Sequence, residues 1–303
     1  MGIIKLRASA LDAFAYCPRK FYYASFTSLT PIGSHAMALG TAVHAGLASF
    51  WQAKLDRVSK PTFDHALAAR DALEKEVETR IYDGLDRDRA SARAIFMTNW
   101  YSIQHEQSQD MPAAVEVALS YEIIPDVIVT GHPDLILEDD SDPARSRLVV
   151  VDHKVKKVAF SQRQADRLLQ LTAYAVFLGL GWLKTPLRGS IDEMDCRVDN
   201  LVHGPMDQTF RIPTEPGQEG QLRAGQPRLV ELKTRRGAAD VATLKDFLRD
   251  VQSRGEKQEH YAAKVTPLCQ SCSYRLACAE GKAYLRHRNL PLLADLERLP
   301  VAA

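Results

Sequence analysis

Apolar residues recur at helical spacing from Ser9 to Phe26, where Leu11, Phe14 and Ala15 are followed by Phe21 and Tyr22, and Ser9 is placed to cap the start. After a loop through Pro31-Ile32-Gly33-Ser34, the stretch MALGTAVHAGLASFWQAKL reads as a second helix. Charged and apolar residues then alternate at helical period from Asp64 to His105, which predicts helices with one solvated charged face. The texture changes at Ala114. From there to Glu138 the period shortens to two and β-branched residues dominate, with Pro125-Asp126 marking a break between strands.

The run RLVVVDHK is continuously apolar up to Asp152, the pattern of a strand buried on both faces. SQRQADRLLQLTAYAVFLGLG reads as one amphipathic helix stopped by glycines. Strands are expected near 190–201 and 208–212, a loop over PTEPGQEGQLRAGQP, and a helix over VATLKDFLRDVQSRG. The pattern describes an α/β core with a helical insertion and a cysteine-rich terminus.

Composition narrows the class only slightly. The 303 residues are 46% hydrophobic and 25% charged, the balance of an ordinary globular protein. No run of about 18 uncharged apolar residues is present, so no membrane partner is expected. The opening MGIIKLRASALDAF lacks the apolar segment of a secretory signal, which makes the compartment cytoplasmic by expectation. A net charge of +1 neither announces nor forbids nucleic acid, because a local basic groove is enough.

Five cysteines, an odd number, argue against a disulfide framework. Cys269, Cys272 and Cys278 form C-x2-C-x5-C, which gathers three sulfurs around one centre and leaves a four-coordinate site one ligand short. Cys196 lies in an alternating strand pattern and is assigned to the core. Cys17, followed by Pro18, is assigned as the fourth ligand. Spacing alone leaves zinc and an iron–sulfur cluster both open.

The candidate chemistry lies in the strand region. Asp134 ends the motif G-H-P-D, and Asp152 and Lys154, two apart, share one face of an extended strand. Two carboxylates brought together repel, and a divalent cation resolves the repulsion. A neighbouring lysine orients or deprotonates water and stabilises charge on a phosphate. Gln170 and Tyr174 lie at i and i+4 on one helix face. His44 follows Gly40 by four, and the glycine is expected to admit another backbone. Each feature is weak alone, and Glu231-Leu232-Lys233 is a decoy that lacks the flanking elements. Their order is the specific signal.

That order, with one early cysteine and three late ones, resembles the RecB-like branch of the PD-(D/E)XK nuclease superfamily, in particular the iron–sulfur exonucleases typified by the CRISPR-associated adaptation nuclease and the AddB nuclease domain. The resemblance runs from SALDAFAYCPRKFYY to CAEGKAYL. It implies one restriction-endonuclease-like domain over 1–303: a central mixed sheet flanked by helices, a helical insertion at 45–112, and a cluster-binding tail at 260–284 joined to Cys17.

By the same resemblance Asp134 and Asp152 bind Mg2+ or Mn2+ with His44 nearby, and His153 gives its backbone carbonyl while its side chain is incidental. Lys154 is the catalytic lysine, Gln170 and Tyr174 help to hold DNA and water, and Cys17, Cys269, Cys272 and Cys278 hold a [4Fe–4S] cluster. Joining residues so far apart as Cys17 and Cys269 would be worth about 4–5 kcal/mol by loop closure. The expected activity is a DNA exonuclease acting on single-stranded ends, with Tyr22, Tyr23 or Trp100 as candidate stacking aromatics, although a core role is favoured for Trp100. Phage recombination, repair and CRISPR adaptation all use this architecture, so a helicase, recombinase or integrase partner stays open. The competing readings are a DNA-binding accessory protein that does not cut and a zinc-stabilised α/β protein of other function.

Overall fold

A strand that is apolar on both sides needs cover on both sides, and the fold is arranged around that requirement. A computed structural model describes residues 2–58, 62–139, 147–179, 194–203, 227–290 and 296–297. The N-terminal part contains β1 (Ile4–Arg7), α1 (Ala8–Leu11), α2 (Ala13–Tyr16), α3 (Pro18–Phe26) and β2 (Gly33–Ser34). Three long helices follow, α4 (His35–Leu55), α5 (Thr62–Thr79) and α6 (Arg87–His105), with β3 (Tyr82–Asp83) before the last. Then come β4 (Met111–Val115), β5 (Leu119–Ile124), β6 (Val127–Gly131), β7 (Leu135–Asp139) and β8 (Arg147–Lys156). The remainder is α7 (Gln162–Ala165), α8 (Leu169–Gly179), β9 (Met194–Val202), β10 (Arg228–Arg236), α9 (Ala238–Arg254), α10 (Ala279–His287) and β11 (Leu296–Glu297).

The main sheet has the order β10-β9-β8-β7-β4. β8 runs parallel to β9 and antiparallel to β7, so the sheet is mixed and β8 is central. Successive residues of β8 enter different cores, as expected for its apolar run. Val150 packs with α8, α9 and a small sheet of order β1-β6-β5, whereas Val151 packs with α4, α5 and α6. The fold is thus a mixed sheet between helical layers. No described helix is long and apolar enough to cross a membrane.

Several expectations change. The helix expected from Ser9 is three pieces: Ser9 lies inside α1, whose N-cap is Arg7. The second break has a chemical cause. A residue before proline avoids the helical region, and Cys17 is extended at φ −161° with Pro18 starting α3. The single helix expected from Ser161 is also broken, between α7 and α8. Ser161 caps α7, and α8 is buried on nearly all sides from Gln170 to Leu178, not amphipathic. Pro125-Asp126 forms the β5–β6 turn, with Asp126 at φ 65°. The decoy Glu231 and Lys233 are exposed on edge strand β10. The strand expected at 208–212 and most of the loop after it lie outside the described residues.

The close approach assigned to Gly40 belongs to Gly46. A Cβ at Gly40 would meet nothing within 4 Å, whereas at Gly46 it would stand 2.5 Å from Thr98 Oγ1 and 3.1 Å from Ala69 Cβ. Gly46 is the point where α4 touches both α5 and α6. Gly40→Ala should stabilise the protein by about 0.5–1 kcal/mol, as alanine usually does inside a helix. Gly46→Ala should destabilise it by about 1–3 kcal/mol through overpacking. Equilibrium denaturant unfolding of the two variants checks the opposite signs.

Candidate active site

Strand register builds the site. Leu135 pairs with Val151 on one side and Val115 on the other, so Asp134 stands between Asp152 and Glu116 at one end of the sheet. Asp134 lies in the short link from β6 to β7, and Glu116 N–H donates to its carbonyl at 3.2 Å. Its carboxylate accepts from His44 Nδ1 at 3.2 Å and from the His153 backbone N–H at 2.6 Å. α4 brings His44 across the sheet to this point.

On the opposite side of β8, Lys154 Nζ lies 2.8 Å from Asp152 Oδ2 and donates to Gln170 Oε1 at 3.2 Å. Gln170 Nε2 donates to the Tyr174 hydroxyl at 3.0 Å, and that hydroxyl donates to the His132 carbonyl at 3.1 Å. The glycine of G-H-P-D allows this: a Cβ at Gly131 would stand 2.6 Å from the Tyr174 ring. The start of α8 is fixed by Asp12, whose carboxylate accepts from Leu169 N at 2.8 Å and Gln170 N at 3.3 Å. His44, Asp134, Asp152, Lys154, Gln170 and Tyr174 are therefore gathered in one place.

Burial opposes every charge here, and the neighbours decide which survive. At Asp134 burial is outweighed by the charge and hydrogen bond of His44, with His153 and Lys154 adding, and the carboxyl is held well below its ordinary range. At Asp152 burial wins, helped by Asp134 and against Lys154, and the carboxyl is pushed up to about 6. Glu116 keeps contact with solvent, yet partial desolvation and then the Asp134 charge push it up to about 7. Burial would lower Lys154, but Asp152 and Asp134 raise it, so it stands as an ammonium.

Three carboxylates around so few cations attract another cation. Ligand atoms of His44, Glu116 and Asp134 lie within 4.8 Å of one another, and the two carboxylates among them suit Mg2+ or Mn2+. Asp152, expected to share the ion with Asp134, stands beside it across the β7–β8 register and also pairs with Lys154. Glu116 was not apparent in the sequence, since only the β4–β7 register brings it to Asp134. The candidate stacking aromatics read as core. Tyr23 is 4% exposed and bonds the Ala277 carbonyl, Tyr22 packs with Phe26 and Tyr261, and Trp100 packs against the helical core.

Cys17, Cys269, Cys272 and Cys278 line a single cavity with Arg19, Lys20 and Lys264. Its volume of ≈ 170 Å³ is many times the ~10–15 Å³ that one water needs. Backbone N–H groups point at three of the sulfurs: Lys264 to Cys17 at 3.4 Å, Thr266 to Cys269 at 3.5 Å and Gly281 to Cys278 at 3.4 Å. A closed zinc site, with Zn–S near 2.3 Å, sets its sulfurs about 3.8 Å apart. The cavity that the four cysteines line is wide enough for more than a single ion. Cys196 is buried in β9 with its thiol pushed up to about 12 by burial, as befits a core residue.

No curated protein matches the chain. Among solved structures, the crystal structure of SSO0001 aligns with 89% of this chain and 94% of that one at 10% identity, with a TM-score of 0.31. The family comparison is decisive: the model of the PD-(D/E)XK nuclease superfamily matches residues 5–279, a span that holds every catalytic candidate and all five cysteines. The chain belongs to the PD-(D/E)XK nuclease superfamily.

Proposed function

We propose that the chain is a Mg2+- or Mn2+-dependent deoxyribonuclease of the RecB-like branch, an exonuclease that degrades DNA from single-stranded ends, and that its four lining cysteines carry a [4Fe–4S] cluster. The observation that carries this reading is the convergence of Asp134, Asp152 and Lys154 at one end of an apolar sheet. Recessed side chains favour a single strand over a duplex: Asp134 is 12% exposed and Lys154 20%. The ≈ 170 Å³ cavity that the four cysteines line favours a cluster over a single zinc ion.

His44, Glu116, Asp134 and Asp152, with the His153 carbonyl, are the proposed ligands of the divalent ion, which supplies Lewis-acid polarisation of the scissile phosphate and an activated water. Lys154 holds an ammonium where charge develops on the phosphate, and its raised pKa favours this role over that of a general base. Gln170 and Tyr174 fix the direction of that ammonium through their chain to His132. Water adds to phosphorus as the bond to the leaving oxygen breaks.

Digestion of end-labelled single- and double-stranded DNA with Mn2+ tests the activity. Asp134→Ala, Asp152→Ala and Lys154→Ala should each lower cleavage by about 10²–10³-fold at unchanged fold. Undiminished cleavage in any of them removes that residue from the mechanism.

Asp152 near 6 and Glu116 near 7 hold protons at mildly acid pH that a bound cation must displace. Mn2+ affinity should therefore weaken as pH falls from about 8 to about 6. Calorimetry near pH 6.5 in two buffers of different ionisation enthalpy should detect proton release, diminished in Glu116→Gln.

Protein purified without oxygen should be brown, with broad absorption near roughly 400 nm. Cys17→Ser should lose iron and colour, and Cys196→Ser should keep both. A colourless zinc protein would refute the cluster.

A further inference from the structure

Between the two reactive residues of D-H-K stands His153, whose side chain the mechanism above does not use. The alternation of β8 sends Asp152 and Lys154 toward α8 and turns His153 to the opposite face, under α4 and α6, where it is 2% exposed. The Tyr101 hydroxyl lies 3.3 Å from His153 Nε2, and Trp51 Nε1 lies 3.1 Å from the same hydroxyl. An indole N–H can only donate, so Tyr101 accepts from Trp51 and keeps its own proton for His153 Nε2, the arrangement that spares Asp134 a lone pair of Nδ1 turned toward it. Its ring is held in place: it stacks on His105 at 4.0 Å between centroids, and His105 Nδ1 lies 3.0 Å from the Tyr101 carbonyl.

Receiving that hydrogen bond makes Nε2 the acceptor, so the ring is neutral and its other nitrogen carries the proton. With Nε2 accepting from Tyr101, the proton sits on Nδ1, 3.9 Å from Asp134 Oδ2, where it acts on that carboxylate as a dipole and not through a hydrogen bond. Asp199 Oδ2 is also 3.9 Å from Nε2, too far for a hydrogen bond, and Arg197 grips both its oxygens at 2.8 and 2.9 Å.

We propose that Trp51, Tyr101 and His153 are positioning residues for the metal site, forming a one-way hydrogen-bond chain from α4 through α6 to β8 that locks the Nδ1–H tautomer of His153 and so keeps the positive end of its ring dipole, not a lone pair, toward the Asp134 carboxylate. The idea rests on Asp134 as a ligand of the divalent ion. Partners of this kind, behind the ligands, commonly tune metal affinity by 10–100-fold.

Tyr101→Phe deletes only the hydroxyl. In protein labelled with ¹⁵N-histidine, long-range ¹H–¹⁵N spectra should show His153 as the Nδ1–H tautomer, with an Nε2–H population appearing in Tyr101→Phe. Mn2+ affinity, followed by the EPR signal of free Mn2+, should weaken about tenfold in that variant. Cleavage should recover at saturating Mn2+. His153→Asn, whose amide reaches the Nδ1 position, should bind Mn2+ more tightly than His153→Leu.

A purely structural role would lower the melting temperature and leave the Mn2+ midpoint unmoved, and that result overturns the proposal. So does an Nε2–H tautomer in the unaltered protein. If Tyr101→Phe fails to fold, Trp51→Phe carries the same two readouts. Should the unaltered protein bind no Mn2+, the metal reading falls and the positioning role falls with it, whereas a bound ion with an unmoved midpoint in the variant removes the positioning role alone.

Discussion

Carboxylates on neighbouring strands at the dry end of a sheet repel one another, and the structure around Asp134 and Asp152 is organised by that repulsion. Each acid is given a different answer. Asp134 receives His44 and a backbone N–H, which hold it ionised, whereas Asp152 is left with Lys154 against strong burial and titrates nearer neutrality. Removing one partner of such a buried pair commonly costs about 3–5 kcal/mol, because the other charge is stranded. The apolar strands carry that burden. Val150 and Val151 are both fully buried, in separate cores, and they hold the register that sets the acids side by side.

How legible this was in the sequence depended on distance along the chain. D-x-K and Q-x-x-x-Y are local: a period of two or of four places the pair on one face whatever the rest of the chain does. The apolar run before Asp152 was legible for the same reason. Glu116 was not, because its partnership with Asp134 is made by strand register, and its own neighbours show only β-alternation. Nor was Asp12, whose target lies 157 residues further on. Gly40 and Gly46 look alike in sequence, and only the packing of three helices separates them. α8 looked amphipathic because its polar Gln170 and Tyr174 suggested a wet face, yet those groups are buried and bond one another.

The cysteine region shows a second closure of the chain made by ordinary contacts. Arg19 Nε donates to the Tyr261 carbonyl at 2.7 Å, and Phe21, Tyr22 and Phe26 pack on the Tyr261 ring. Arg19 also pairs with Glu280. These contacts tie α3 to the C-terminal segment beside the sulfurs. Since they already shut the same loop, a cluster there would gain less from loop closure than the isolated cross-link argument suggests. Its contribution would come mainly from bonding and local order.

Asp12 has a consequence that reaches beyond the helix it caps. Gln170, which takes one hydrogen bond from the Lys154 ammonium, gives its own backbone N–H to a carboxylate at the far end of the chain. Asp12→Ala would retain Asp134, Asp152, Glu116, Lys154 and all four lining cysteines while losing the peg on which Gln170 hangs. A single change remote in sequence from the reactive groups would thus disarm the protein without touching them.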